Sequence, residues 1–187
     1  MDEPVKTIEY KNHTINIYYE ENPESPREWD NLCEIHYSHK RYIIGDVGYS
    51  TGQKCIEAVK DMEKNGDLVF PLYMYEHGGI TISLTPYSCP WDSGQVGFVV
   101  APRLKFLKEY GKKIFTKKLK EKALKMAQAE VNTFDTYLRG DVYGYKIVKD
   151  DEVVDSCYGY YGDDTEEVIK EAKSIIEYMI IERPIEV

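Results

Sequence analysis

No stretch of this 187-residue chain approaches the run of about 18 apolar residues that a membrane-spanning helix requires. It opens on Met1-Asp2-Glu3, with neither a basic start nor an apolar segment behind it, so no leader is expected and the reading is cytoplasmic, with no membrane partner. Cysteine is sparse: Cys33, Cys55, Cys89 and Cys157 never occur as C-x-x-C, and in a cytoplasmic chain they read as thiols. There is no glycine fingerprint after a strand, no Walker loop, no Gly-x-Ser-x-Gly elbow and no long repeat. Dinucleotide-binding, P-loop, α/β-hydrolase and solenoid architectures are thereby set aside. Phenylalanine is rare, at 5 residues against 17 tyrosines. Tyrosine buries a ring but wants a partner for its hydroxyl, so this bias suits half-wet sheet faces or a binding surface.

What the chain does have is negative charge, unevenly spread. It carries 33 acids and 24 bases, net −9. Arg103 to Lys125 holds ten bases and two acids, so the rest of the chain stands at −17. A uniformly acidic exterior repels nucleic acid. The lysines of Lys112 to Lys125 fall just before and within the N-terminal half of a helix, the end that favours anions. They are either a solvated face beside acidic neighbours or a contact for phosphate.

The hydrophobic periods outline an α+β chain in one domain, 1–187, with an antiparallel sheet of hairpins and a meander packed by three to four helices. Residues 7–19 read as a hairpin, 20–31 as a proline-bearing loop, and 33–44 as a strand broken near Ser38-His39-Lys40. Ser50 or Thr51 caps a helix to Lys64 with Ile56, Val59 and Met62 inward, stopped by Asn65-Gly66. A three-stranded meander follows over 68–76, 80–84 and 95–100. Pro102 opens a short helix to Tyr110, and a long one runs from Thr116 to about Leu138. Its core stripe is Leu119, Ala123, Met126, Ala127, Val131, Phe134 and Leu138. A hairpin over 142–149 and 152–160 turns at Asp150-Asp151. Asp164 to Glu167 forms a capping box for a last helix that Pro184 ends.

Both tryptophans occur in one local pattern, Trp29-Asp30-Asn31 and Trp91-Asp92-Ser93, each in a turn-rich connection. A carboxylate against an indole can have its pKa raised, as a general acid needs. If the two loops met, Asp30 and Asp92 would form a carboxylate pair with Glu28, His77 and Cys89 nearby, fit for acid/base work or a divalent metal. Otherwise each Asp makes a local turn and each Trp plugs the core rim. Cys89 has no fixed histidine beside it as a base. Cys33, His36 and His39 have a zinc-like spacing, but 33–37 reads as a strand that sends His36 away from Cys33, so no metal and no cofactor is expected. Arg41 can clamp a phosphate or pair with an acid. Tyr143-Gly144-Tyr145 and Tyr158-Gly159-Tyr160 make either a base-stacking platform at Tyr143 and Tyr158 or a surface for a close-packed helix.

The order Pro26-Arg27-Glu28-Trp29-Asp30-Asn31-Leu32, Arg41-Tyr42, Gly45-Asp46, Ser88 to Phe98, Leu138 to Tyr145 and Asp155 to Tyr160 resembles a family of uncharacterised bacteriophage and prophage proteins. Where that family carries Asn after Arg-Tyr, this chain has Ile43. The resemblance implies a viral or mobile-element origin and no mechanism. Acidic phage proteins of this size often inhibit host defence by presenting carboxylates to a nuclease groove. The first expectation is therefore a non-enzymatic inhibitor, a binding partner of a CRISPR or restriction component with a basic nucleic-acid-binding surface. The second is a small enzyme on a nucleotide or nucleic acid using Asp30 and Asp92. The third is a direct nucleic-acid binder through Lys112 to Lys125.

Overall fold

The computed structural model describes residues 3–182, so the expected stop at Pro184 lies outside the described residues. The chain is α+β, with four α-helices and two sheets among the described residues. One domain over 1–187 was the expectation; Cα proximity divides the chain into two compact units, 1–24 with 140–187, and 25–139.

The first unit is a four-stranded antiparallel sheet, ordered β1 (Lys6–Tyr10), β2 (His13–Tyr19), β8 (Val142–Lys149), β9 (Glu152–Tyr161), with helix α4 (Glu166–Glu182) packed on β2 and β8. Its two hairpins turn at Lys11-Asn12 and Asp150-Asp151, whose four positive φ angles give the twist that tight hairpins need. Alternation then sends Ile15, Ile17, Tyr143, Tyr145 and Ile147 to one face. Val168, Ile169, Ala172 and Ile176 of α4 close over them at helical spacing. The Asp164 carboxylate accepts from the Glu166 N–H at 2.9 Å and starts that helix.

The Tyr-Gly pattern has a different use from either expected one. Tyr143 is buried among the core residues and stacks on Tyr19 at 5.1 Å. Tyr158 pairs in register with Gly144, one residue along, on the opposite face. A Cβ at Gly144 would lie 2.0 Å from the Tyr158 ring, so the glycine makes room for that ring across the strands. Gly159, at φ +91°, is the extra residue of a bulge between these pairs. Tyr143 and Tyr158 therefore form no common platform, and the helix lies over the tyrosine face, not over Gly144.

The second unit is a five-stranded sheet ordered β4 (Val47–Gly48), β3 (Glu34–Tyr37), β7 (Ser93–Ala101), β5 (Leu68–Glu76), β6 (Ile80–Ser83). Helix α3 (Lys117–Arg139) packs on β5, β6 and β7, and α1 (Gly52–Lys64) on β3, β5 and β7. Two clusters sit on these helices. Ile35, Leu72, Met74, Ile82 and Val99 meet Leu119, Ala123, Ala127, Val131 and Phe134 of α3, with Phe106 of α2 (Arg103–Glu109). Val100 meets Cys55 and Val59 of α1, so Cys55 takes the buried position expected for Ile56. Three expectations change here. The third strand of the expected meander pairs with β5, not β6, because the long 84–92 connection carries the chain back across. The strand expected to reach Ile44 stops at Tyr37. Gly45 then passes against Ile35, where a Cβ would come within 2.4 Å, and the chain returns as the short parallel strand β4.

A buried ion cluster fixes the start of β3. Arg27, in the 3₁₀ turn Pro26–Glu28, donates Nε and Nη2 to Asp46 at 3.0 and 2.7 Å, Nη1 to Glu130 at 3.3 Å and Nη2 to the Cys33 carbonyl at 2.8 Å. Glu130 also accepts from the Leu32 N–H at 2.7 Å, and Asp46 from the Ile35 N–H at 2.6 Å. Burial raises the Glu130 pKa, against the pull of those N–H donors and of Arg27. Burial alone would lower the Arg27 pKa, but its bonds to Asp46 and Glu130 raise it, so the guanidinium stays charged.

Candidate functional site

Three segments of the five-stranded unit meet at the N-terminal end of β7. The chain after β3 arrives because Ser38 N–H donates to the Val96 carbonyl at 2.9 Å. The β5–β6 turn is held by His77 N–H on the Gly79 carbonyl at 3.1 Å. The Trp91 turn is tied on both sides: Glu76 N–H donates to the Asp92 carbonyl at 2.8 Å, and the Ser93 hydroxyl donates to the Cys89 carbonyl. Together they line a cleft of about 570 Å³ that includes His39, Arg41, Glu76, His77, Trp91 and Asp92.

Two acid–base pairs organise it. Asp92 Oδ2 lies 3.5 Å from His77 Nδ1 and 3.7 Å from the Cys89 thiol. Glu76 accepts from the Tyr42 hydroxyl at 3.0 Å and from Arg41 Nη2. That bond to Glu76, with burial behind it, raises the Tyr42 pKa. His39 Nδ1 faces the N–H groups of Arg41 and Tyr42 at 3.3 and 3.1 Å, so it accepts and the ring proton sits on Nε2. The His39 and Tyr42 rings stack at 5.2 Å. The indole of Trp91 is 91% exposed at the rim, although Trp is seldom left in water.

His77 and Cys89 thus lie beside Asp92, as expected of that loop, and Arg41 lines the same cleft. Glu28, Trp29 and Asp30 do not join them. Antiparallel pairing of Glu34 with Val100 and Tyr37 with Gly97 puts the chain before β3 at the far end of β7. A nine-residue strand separates Asp30 from Asp92, roughly 27 Å at the usual rise. Asp30 is fully exposed, 3.9 Å from Lys105 Nζ, and Trp29 is half-exposed. The Asn31 amide closes that turn by donating to the Pro26 and Trp29 carbonyls at 2.7 and 3.0 Å. The convergent carboxylate pair is therefore not formed. The Cys89 thiol meets the Asp92 carboxylate at 3.7 Å, and among the described residues it makes no hydrogen bond to an imidazole. Among the described residues no cluster of His, Cys, Asp and Glu is arranged to hold a metal ion. His36 is buried against the Tyr49 hydroxyl at 2.9 Å on the face away from Cys33, and the four cysteines are free. His39 and Glu76 were not anticipated; only the pairing of β3 and β5 with β7 brings them to the cleft.

A second feature is electrostatic. The four-stranded unit contains 19 acids and 7 bases, net −12; the five-stranded unit contains 14 and 17, net +3. In the first, Glu20, Glu21 and Glu24 follow β2, Asp141 precedes β8, Asp163 and Asp164 follow β9, and Glu166 and Glu167 open α4. All fall at one end of the sheet, where Lys6 is held by Glu166 at 3.5 Å. Most are exposed, and Glu20 accepts from the Gly159 N–H at 2.8 Å. In the second unit, Lys112, Lys113, Lys117, Lys118, Lys120, Lys122 and Lys125 make no ion pair among the described residues, and Lys122 lies over the Tyr110 ring at 4.6 Å.

No helix among the described residues is long and apolar enough to cross a membrane. Comparison with protein-family models, with curated proteins and with solved structures finds no match to this chain.

Proposed function

We propose that this is a phage or mobile-element accessory protein that acts by binding, its acidic four-stranded unit docking on the cationic nucleic-acid-binding surface of a host defence protein, a CRISPR or restriction component. The observation that carries the reading is the division of charge by unit, −12 against +3, with the acids of the first gathered at one sheet end. Such an end attracts a groove built for phosphate and repels nucleic acid itself. Asp92 at 3.5 Å from His77 is the arrangement that favours a nucleotide-acting enzyme, and Asp30 does not join it. Asp92→Asn removes it; unchanged biological activity then rejects the enzyme.

The test is capture of the full chain's partners from host lysate at low and at raised salt, beside a variant with Asp163→Asn, Asp164→Asn, Glu166→Gln and Glu167→Gln. Asn preserves the helix cap. A nuclease-type partner is expected with the unaltered chain, released by salt and lost in the variant. A second reading rests on the seven lysines that make no ion pair among the described residues. It requires direct nucleic-acid binding that weakens steeply with salt, and binding that is absent or insensitive to salt rejects it.

A further inference from the structure

The Trp91 cleft adjoins a second one, of about 800 Å³, and His39 and Arg41 line both. Their chemistry differs. The first offers an open indole and two carboxylates, Asp92 and Glu76. The second is lined by Lys40, Arg41, His39 and the hydroxyl-bearing Ser38, Ser50 and Thr51, with no carboxylate in its wall. We propose that the two clefts together bind one nucleotide, its base on Trp91 and its phosphate on the Lys40 side.

The polarity of the site fixes that orientation. Trp91 has no ring partner among the described residues, and its turn is tied at Asp92 and Ser93, so an open aromatic face is carried on an anchored backbone. Every nucleobase has a π-face that stacks on such a ring. Asp92 beside it only accepts hydrogen bonds when ionised, which suits the amino or ring N–H of a base and repels a phosphate. Across His39 the signs reverse. Among the described residues Lys40 makes no ion pair and Arg41 meets Glu76 through Nη2 alone, leaving Nε and Nη1 to donate. The Nε2–H of His39, whose other nitrogen is held by backbone N–H groups, is a further donor between the two halves. An aromatic face with an acceptor on one side, and cations with hydroxyls on the other, matches a base joined to a phosphate. The same chemistry is offered by a free mononucleotide and by one unit of a single strand. The site lies wholly in the five-stranded unit and does not rest on the acidic docking surface.

The test uses the full chain with Trp29→Phe, so that Trp91 alone fluoresces. Nucleoside monophosphates are expected to quench it saturably, the corresponding nucleosides more weakly, and inorganic phosphate not at all. By equilibrium dialysis, Trp91→Ala is expected to weaken nucleotide binding about tenfold or more. Since the ring is exposed, its thermal unfolding should not change. Lys40→Ala should weaken the nucleotide and spare the nucleoside, and Asp92→Asn should erase any preference for bases that carry an amino group over uracil. An eight-residue oligonucleotide that binds much more tightly than the monophosphate makes a single strand the ligand; equal or weaker binding makes it the free nucleotide. Quenching that never saturates, or nucleotide affinity unaltered in Trp91→Ala, overturns the proposal.

Discussion

Replacing Arg27 with Met tests how the sheet of the five-stranded unit is held. The side chains of Arg27 and Glu130 are 8% and 9% exposed, so the cation and one of its two carboxylates are almost out of water. Methionine has a similar reach and no charge. It leaves Asp46 and Glu130 facing each other, with the Cys33 carbonyl unpaired. The Leu32, Cys33 and Ile35 N–H groups remain on the carboxylates, so both stay where they are. Removing one partner of a buried pair costs about 3–5 kcal/mol, because an uncompensated charge stays behind. Both tryptophans belong to this unit, so their fluorescence in urea reports its unfolding and not that of the four-stranded unit. The midpoint should fall by roughly 2 M at an ordinary urea slope. Adding Glu130→Gln should restore about 1 kcal/mol or more, since burial already favours an uncharged group there. A loss below about 1 kcal/mol, or no coupling between the two changes, would refute the argument that this cluster ties the 3₁₀ turn to the sheet.

Gly97→Ala should cost about 2 kcal/mol or more by chemical denaturation, because its Cβ would meet the His36 carbonyl oxygen at 2.2 Å and neither backbone can yield cheaply. Tolerance of the change would mean that β3 and β7 are not paired in this register. Thiol labelling should modify Cys157 and Cys89 first. Burial pushes the Cys33 and Cys55 thiols up, so early labelling of either would contradict the packing. Burial and the Asp155 bond raise Tyr145, burial raises Tyr160, and the Glu177 bond raises Tyr10. Folded values above the unfolded one mean stability that is complete below the ordinary tyrosine pKa, about 10, and is lost as pH climbs past it. Melting of the four-stranded unit should therefore fall in that alkaline window, with phenolate absorbance delayed in the folded chain. A flat profile would show these hydroxyls to be free.

Local signals were legible wherever they were self-contained. The 7–19 hairpin, the Asp150-Asp151 turn, the Thr51 cap and the α3 stripe are each written within a few residues, and each stands as read. The larger failures are of pairing. Nothing near Ser93 says that its strand joins β5 instead of β6, and nothing near Gly45 says that the chain will double back on Ile35. Those choices follow from long-range burial, which periodicity does not encode. The candidate site divides in the same way. The sequence marks Arg41, His77, Trp91 and Asp92 by type, but their meeting depends on which strand ends share a side of β7. By that rule Asp30, in a matching motif, falls at the wrong end. Arg27, a lone cation in an acidic loop, gave no sign that it would be buried.

Host immunity itself offers the sharpest measurement. The unaltered chain and the variant with Asp163, Asp164, Glu166 and Glu167 neutralised would each be expressed in cells with an active CRISPR or restriction system, and the plating of a targeted phage counted. The account predicts that plating rises with the unaltered chain and returns to background with the variant, at equal expression and equal melting temperature. Full protection of the phage by the neutralised variant would contradict it, as would no effect of the unaltered chain in any such host.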